Sequence, residues 1–163
     1  MTVFAITDYK DPLKKLILAK GWSDSLASYQ MGQLLWEYVP LQALDYDVIV
    51  PIPLHWTRYA WRGFNQADEI ARTIQKKKDV PLKYLLKRIK KTAFQSTLVS
   101  ALRGENLKGA FVLNEKYAQD YTGKHILLVD DLMTTGSTLR AAAKELLKLK
   151  PSKITVVVVC RVI

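Results

Sequence analysis

Two apolar runs with a helix-period segment between them, all within residues 125–162, constrain this chain more than any other feature. Residues 126–129 (Ile-Leu-Leu-Val) and 154–159 (Ile-Thr-Val-Val-Val-Val) carry no charge, and the second is rich in β-branched side chains. Uncharged runs of this length are the pattern of strands covered on both faces. Between them residues 137–149 begin with Ser137 and repeat apolar side chains at helical spacing, which predicts a helix. Strand, helix, strand with both strands buried implies a parallel sheet in an α/β domain.

Upstream, Asp47-Val-Ile-Val-Pro-Ile-Pro predicts another buried strand ending in a tight loop, and residues 65–77 predict a helix with Ala67, Ile70, Ala71 and Ile74 on one face. Weaker strands are expected at 82–86 and 110–113, separated by a basic, polar stretch over 87–108. The first 40 residues read as two helices. One starts at Asp11-Pro12 and carries Leu13, Leu16 and Ile17; the other starts after Ser23, carries Leu26, Met31, Leu34, Leu35 and Tyr38, and stops at Pro40. With no repeat and no Pro/Gly/Ser-rich linker, residues 1–163 are expected to form a single domain. Its parts would be a helical N-terminal portion over 1–45 and an α/β core over 46–163, a mostly parallel sheet flanked by helices.

Composition narrows the classes. At 49% apolar and 25% charged the chain is neither disordered nor fibrous. No run reaches the ~18 apolar residues of a membrane span, and the opening MTVFAITDYK is not a signal peptide, so no membrane insertion and a cytoplasmic location are expected. One cysteine, Cys160, excludes an internal disulfide framework and a cysteine-rich metal site; it is expected in the core. Against 15 acidic residues stand 25 basic ones, a net charge of +10 that attracts polyanions without choosing among nucleotides, pyrophosphate and nucleic acid.

The chemistry concentrates at residues 126–139, ILLVDDLMTTGSTL. Asp130 and Asp131 fall at the carboxyl end of the expected strand, where open α/β sheets place ligand contacts. Neighbouring carboxylates repel, so a pair held there faces ligand hydroxyls, a cation or a basic side chain. Thr134, Thr135, Gly136, Ser137 and Thr138 then supply hydroxyls, successive backbone N–H groups and the positive end of a helix, a cradle for phosphate. Gly136 lets the backbone turn sharply and approach the anion. The motif is neither a Walker A loop, since no Gly-Lys-Ser/Thr follows, nor a G-x-G-x-x-G dinucleotide loop.

LLVDDLMTTGST resembles the PRPP-binding motif of type I phosphoribosyltransferases. That resemblance implies a type I phosphoribosyltransferase fold, with Asp130 and Asp131 on the ribose hydroxyls and Thr134, Thr135, Gly136, Ser137 and Thr138 on the 5′-phosphate. It also implies Mg2+ bound with PRPP or pyrophosphate. A second segment, P-I-P-L-H-W-T-R-Y-A-W-R-G-F-N-Q-A over 51–67, resembles the signature of the ComF family. Lys87-Arg88, Thr92, Gln95, Leu98, Arg103, Asn106 and Gly109-Ala-Phe match the middle of that family, and Tyr9-Lys-Asp-Pro-Leu-Lys-Lys-Leu-Ile its opening. ComF proteins often carry a four-cysteine zinc module before that opening; this chain is read as lacking it, and no metal site is assigned within it.

Arginines at a strand's carboxyl end suit pyrophosphate, because a guanidinium offers forked donors to phosphate oxygens. Arg58 and Arg62 are therefore candidate pyrophosphate contacts; motif position in the ComF resemblance implies Arg88 and Arg103 as well, and His55 is a further candidate, more readily a local hydrogen-bonder. Trp56, Tyr59, Trp61 and Phe64 interleave with Arg58 and Arg62 and could stack bases as single-strand binders do, but packing of these aromatics onto the domain is the preferred expectation. Lys76 to Lys78 are expected as a solvated helix end, and His125 as structural. Two function classes follow from the resemblance. One is a ComF-like protein of DNA uptake in natural competence, binding PRPP or a phosphoribosyl nucleotide and in contact with single-stranded DNA and other competence proteins. The other is a metabolic phosphoribosyltransferase acting on an unidentified base or amine. No residue announces itself as a catalytic base.

Overall fold

The computed structural model describes residues 2–8, 25–90, 109–116 and 121–162. In chain order its elements are β1 (Thr2–Asp8), α1 (Ser25–Tyr38), β2 (Val48–Pro51), α2 (Trp56–Arg62), α3 (Gln66–Lys77), β3 (Leu86–Arg88), β4 (Phe111–Leu113), β5 (His125–Met133), α4 (Ser137–Leu146) with a 3₁₀ turn over Leu147–Leu149, and β6 (Lys153–Arg161). Four strands make a parallel sheet in the order β1-β6-β5-β2, and β3 and β4 form a separate antiparallel pair.

Alternation along the central strands sorts the core into two layers. Val48, Val50, Ile126, Leu128, Ile154, Val156 and Val158 share one cluster with Leu139, Ala142 and Leu146 of α4 and with Leu86 and Phe111 of the small sheet. Ile49, Leu127, Val129, Val157 and Val159 join the other, against Met31 and Leu35 of α1 and Ile70, Ala71 and Ile74 of α3. Each central strand is thus buried on both sides, as its uncharged sequence requires. The helices α1 and α3 approach closely at Gly32, where an added Cβ would lie 2.6 Å from Thr73 Cβ.

The starts of β2 and β5 are pinned by side chains. Asp47 accepts a hydrogen bond from the backbone N–H of His125 at 2.7 Å and pairs with Lys124 at 3.2 Å, and both contacts hold its carboxyl below the usual range. His125 bridges Asp45 O at 2.5 Å and Thr155 Oγ1 at 2.8 Å, so it ties β5 to β6 as the structural residue expected of it. Lys78, at the end of α3, donates to Leu44 O at 2.6 Å and stands 4.6 Å from the Tyr46 ring centroid, a lock rather than a solvated end.

Three expectations need correction. The chain opens with β1, paired along β6 from Thr2↔Thr155 onward, so its N-terminal part is not wholly helical. The first expected helix lies outside the described residues, and the second is α1. The strand placed at 82–86 is instead β3, which starts at the last residue of that span and runs two residues past it, with Leu82 only bridging Ile49. Finally, residues 56–62 form α2 rather than a loop, because His55 caps it, its ring nitrogen 2.9 Å from Thr57 Oγ1 and 3.4 Å from Thr57 N, and Gly63 ends it at φ +82°.

Candidate functional site

β5 continues through the two acids to Met133, because β6 stays paired opposite it as far as Met133↔Arg161. Asp130 and Asp131 therefore sit within the second half of the strand, and the turn shrinks to Thr134, Thr135 and Gly136. The Asp131 N–H donates to Asp130 Oδ1 at 3.0 Å. Burial, then the neighbouring Asp131 charge, then a hydrogen bond between the two side chains push the Asp130 carboxyl well above the ordinary carboxylate range, while Arg88 opposes the rise. Two carboxyls on successive residues offer several hydrogen-bonding oxygens at adjacent points. That set matches two neighbouring hydroxyls.

Beyond the pair, Gly136 takes φ +71°, a conformation that costs any other side chain, and so aims the chain into α4. Thr135 Oγ1 and Ser137 Oγ are 2.7 Å apart, and the Ser137 N–H points to Thr135 Oγ1 at 3.4 Å. Arg140, one turn into α4, donates to Thr135 O at 2.7 Å and reaches Ser137 Oγ at 3.5 Å. Its Nη1 stands 3.1 Å from where a Cβ on residue 136 would be. This arginine was not among the sequence candidates; the available signal was a cation one helical turn past the loop glycine. The hydroxyl-rich turn, the start of α4 and a guanidinium thus converge on one point, which suits a phosphate dianion.

Two of the candidate arginines face the acids, and a third, Arg58, stands beside both of those. Arg88 lies within electrostatic reach of Asp130 and Arg58, and Arg62 of Asp131 and Arg58. Burial, then Arg58, holds Arg88 down to about 10, still charged at neutral pH, and its guanidinium lies 5.4 Å from the Phe111 ring centroid. Burial lowers Arg58 and Arg62 as well. Arg62 is further tethered to Gln66 Oε1. His55 is buried in its capping role, so it acts locally. Arg103 lies outside the described residues. Cys160 is fully buried, as expected, with its thiol pushed up to about 11 by burial and Asp131.

A cavity of about 740 Å³ opens beside this cluster, walled by Leu54, Trp56, Tyr59, Tyr84, Lys87 and Arg88 among others. One wall is braced: Tyr84 donates to Asp68 Oδ1 at 2.8 Å, and Arg72 donates to Tyr84 Oη at 2.6 Å and to Asp68 Oδ2 at 3.1 Å. The expectation that the aromatics of residues 56–64 pack onto the domain fails for three of them. Trp56, Tyr59 and Trp61 are 72%, 54% and 75% exposed, and α2 buries none of its residues. The helix is too short to turn its arginines toward the acids and its aromatics into the core at once.

Comparison with known proteins agrees with this geometry. The phosphoribosyl transferase domain family matches residues 59–163. The chain is similar to competence protein F of Haemophilus influenzae, 39% identical over 111 residues that cover 68% of this chain and 48% of that protein. It is also similar to DNA utilization protein YhgH of Escherichia coli K12, 34% identical over 164 residues covering 96% of this chain and 70% of that one. It thus spans about half the length of the Haemophilus relative. Among solved structures, the glutamine phosphoribosylpyrophosphate amidotransferase of Bacillus subtilis shares the fold, with TM-score 0.56 at 17% identity, over 85% of this chain and 27% of that one. Motif, parallel sheet and relatives agree, and the chain belongs to the ComF family within the type I phosphoribosyltransferases.

Proposed function

We propose that this protein binds PRPP or a related phosphoribosyl ligand at the end of β5 and serves the uptake and use of incoming DNA. The observation that carries the ligand is the adjacent acids Asp130 and Asp131 near the end of β5, set directly before the Thr134–Thr138 cradle. In this reading the acids hold the ribose hydroxyls, and Thr134, Thr135, Gly136, Ser137 and Thr138 hold the 5′-phosphate. Arg58, Arg62 and Arg88 face the pyrophosphate. Among the described residues no cluster of three His, Cys, Asp or Glu side chains could cage a metal ion. Magnesium keeps its waters and is held through one or two carboxylates and ligand phosphates, so in this reading it would arrive with the pyrophosphate. When bound, it would neutralise the leaving group's charge. The DNA role is supported by the names borne by the relatives, a competence protein and a DNA utilization protein.

Among the described residues no helix is long and apolar enough to cross a membrane. Calorimetric titration with PRPP and Mg2+ tests the ligand. Saturable binding is expected, weakened about tenfold or more by Asp131→Asn; wild-type protein that takes up no PRPP at millimolar concentration would sink the reading. Transformation at wild-type frequency in a deletion strain would sink the DNA role separately. The match to a phosphoribosyl transferase domain favours one further reading, turnover with a base or amine acceptor. Pyrophosphate release across an acceptor panel, abolished in Asp131→Asn, is its signature.

A further inference from the structure

Exposed tryptophan is costly to leave without a role, and α2 presents two of them. Trp56, 72% exposed, and Tyr59, 54% exposed, lie one helical turn apart and both line the 740 Å³ cavity beside the acid pair. The same cavity is lined by Tyr84, whose hydroxyl is held by Asp68 and Arg72, and by the 55% exposed Ile89. Lys87 and Arg88 complete the wall. Flat apolar faces with cations beside them fit a flat ring carrying an anion, and the net charge of +10 favours a polyanion over a small one.

A duplex keeps its ring faces stacked inside, whereas an unpaired strand can turn a base outward onto aromatic side chains. We infer that this cavity receives a base of single-stranded DNA, stacked against Trp56 and Tyr59, with the adjoining phosphates on Lys87 and Arg88. The inference rests on the DNA reading above and adds where the strand docks. The strand and the phosphoribosyl ligand then occupy opposite sides of one short element, since α2 carries Arg62 beside Asp131 while its aromatics are exposed.

Fluorescence anisotropy of a labelled dT12 strand, titrated with the protein at low salt and again at increasing salt, provides the test. Binding is expected to fall steeply with salt. Trp56→Ala and Tyr59→Ala should each weaken it about tenfold, and Trp56→Phe should restore most of the loss. Both side chains are exposed, so melting temperature and calorimetric PRPP binding should stay at wild-type values in the variants. Wild-type strand affinity in both alanine variants would overturn the docking site while leaving the DNA role standing. An equally tight grip on dTMP as on dT12 would also overturn it, in favour of a pocket for a free nucleotide. Absence of any strand binding by the wild type would remove the proposal without touching the PRPP titration.

Discussion

Asp130 carries a burial penalty that Arg88 and the Asp131 N–H only partly offset. Its carboxyl is pushed up by burial and by Asp131, so the folded chain holds a proton there that the unfolded chain would release. Such a group stabilises fully below its unfolded value of about 4, and that contribution is lost as pH rises through the raised folded value. Asp130→Asn removes the titration while keeping the shape. It should raise the melting temperature at pH 7, by roughly 2–4 °C for each kcal/mol recovered, and the gain should vanish near pH 4. The same variant should lose PRPP binding, which separates stability from function at one atom. Gly136→Ala should lose on both counts. At φ +71° an alanine costs about 1–2 kcal/mol, and its Cβ would meet Arg140 at 3.1 Å. A lower melting temperature together with weaker binding of inorganic phosphate is expected; unchanged values would mean that the turn is looser than drawn.

At the scale of elements, α1 and α3 owe their separation to a missing side chain. Thr73 is buried and donates to Glu69 O at 2.9 Å, so it has little room to swing away from a Cβ at Gly32. Gly32→Ala should cost about 1–3 kcal/mol through overpacking, read as a lower denaturant midpoint at unchanged slope. The central strands were legible in the sequence because two-sided burial forbids charge along them, and α3 because Asn65 caps it and its apolar spacing is strict. β1 was not. Thr2 to Ile6 are at most partly covered at the sheet edge, so the run carries no two-sided burial signal, and its partner lies about 150 residues away in sequence. The short α2 was missed for a different reason: its caps, His55 and Gly63, are legible only once the chain's path is known, and its apolar residues face outward. The acid pair and hydroxyl turn were read directly from order and spacing. Arg140 and the Asp68–Arg72–Tyr84 brace were not, since the first acts across a helical turn and the second joins α3 to a distant strand approach.

The whole molecule is a parallel sheet whose carboxyl edge gathers cations around two acids, under a net charge of +10. Filling that edge with PRPP and Mg2+ should stabilise the fold by mass action. At a hundred times the dissociation constant the gain is about 2.7 kcal/mol, or roughly 5–10 °C in melting temperature. A thermal shift absent at saturating PRPP would contradict the ligand assignment. One guanidinium has a consequence at this scale. Arg88 walls the outer cavity and also feels Asp130, so it borders two anion-seeking regions at once. A single cation cannot give its full charge to both, so whichever anion arrives first taxes the second. The tax is reciprocal: the factor by which pyrophosphate weakens a bound strand must equal the factor by which the strand weakens pyrophosphate. Through Arg88, a change in phosphoribosyl ligand supply would become a change in DNA retention.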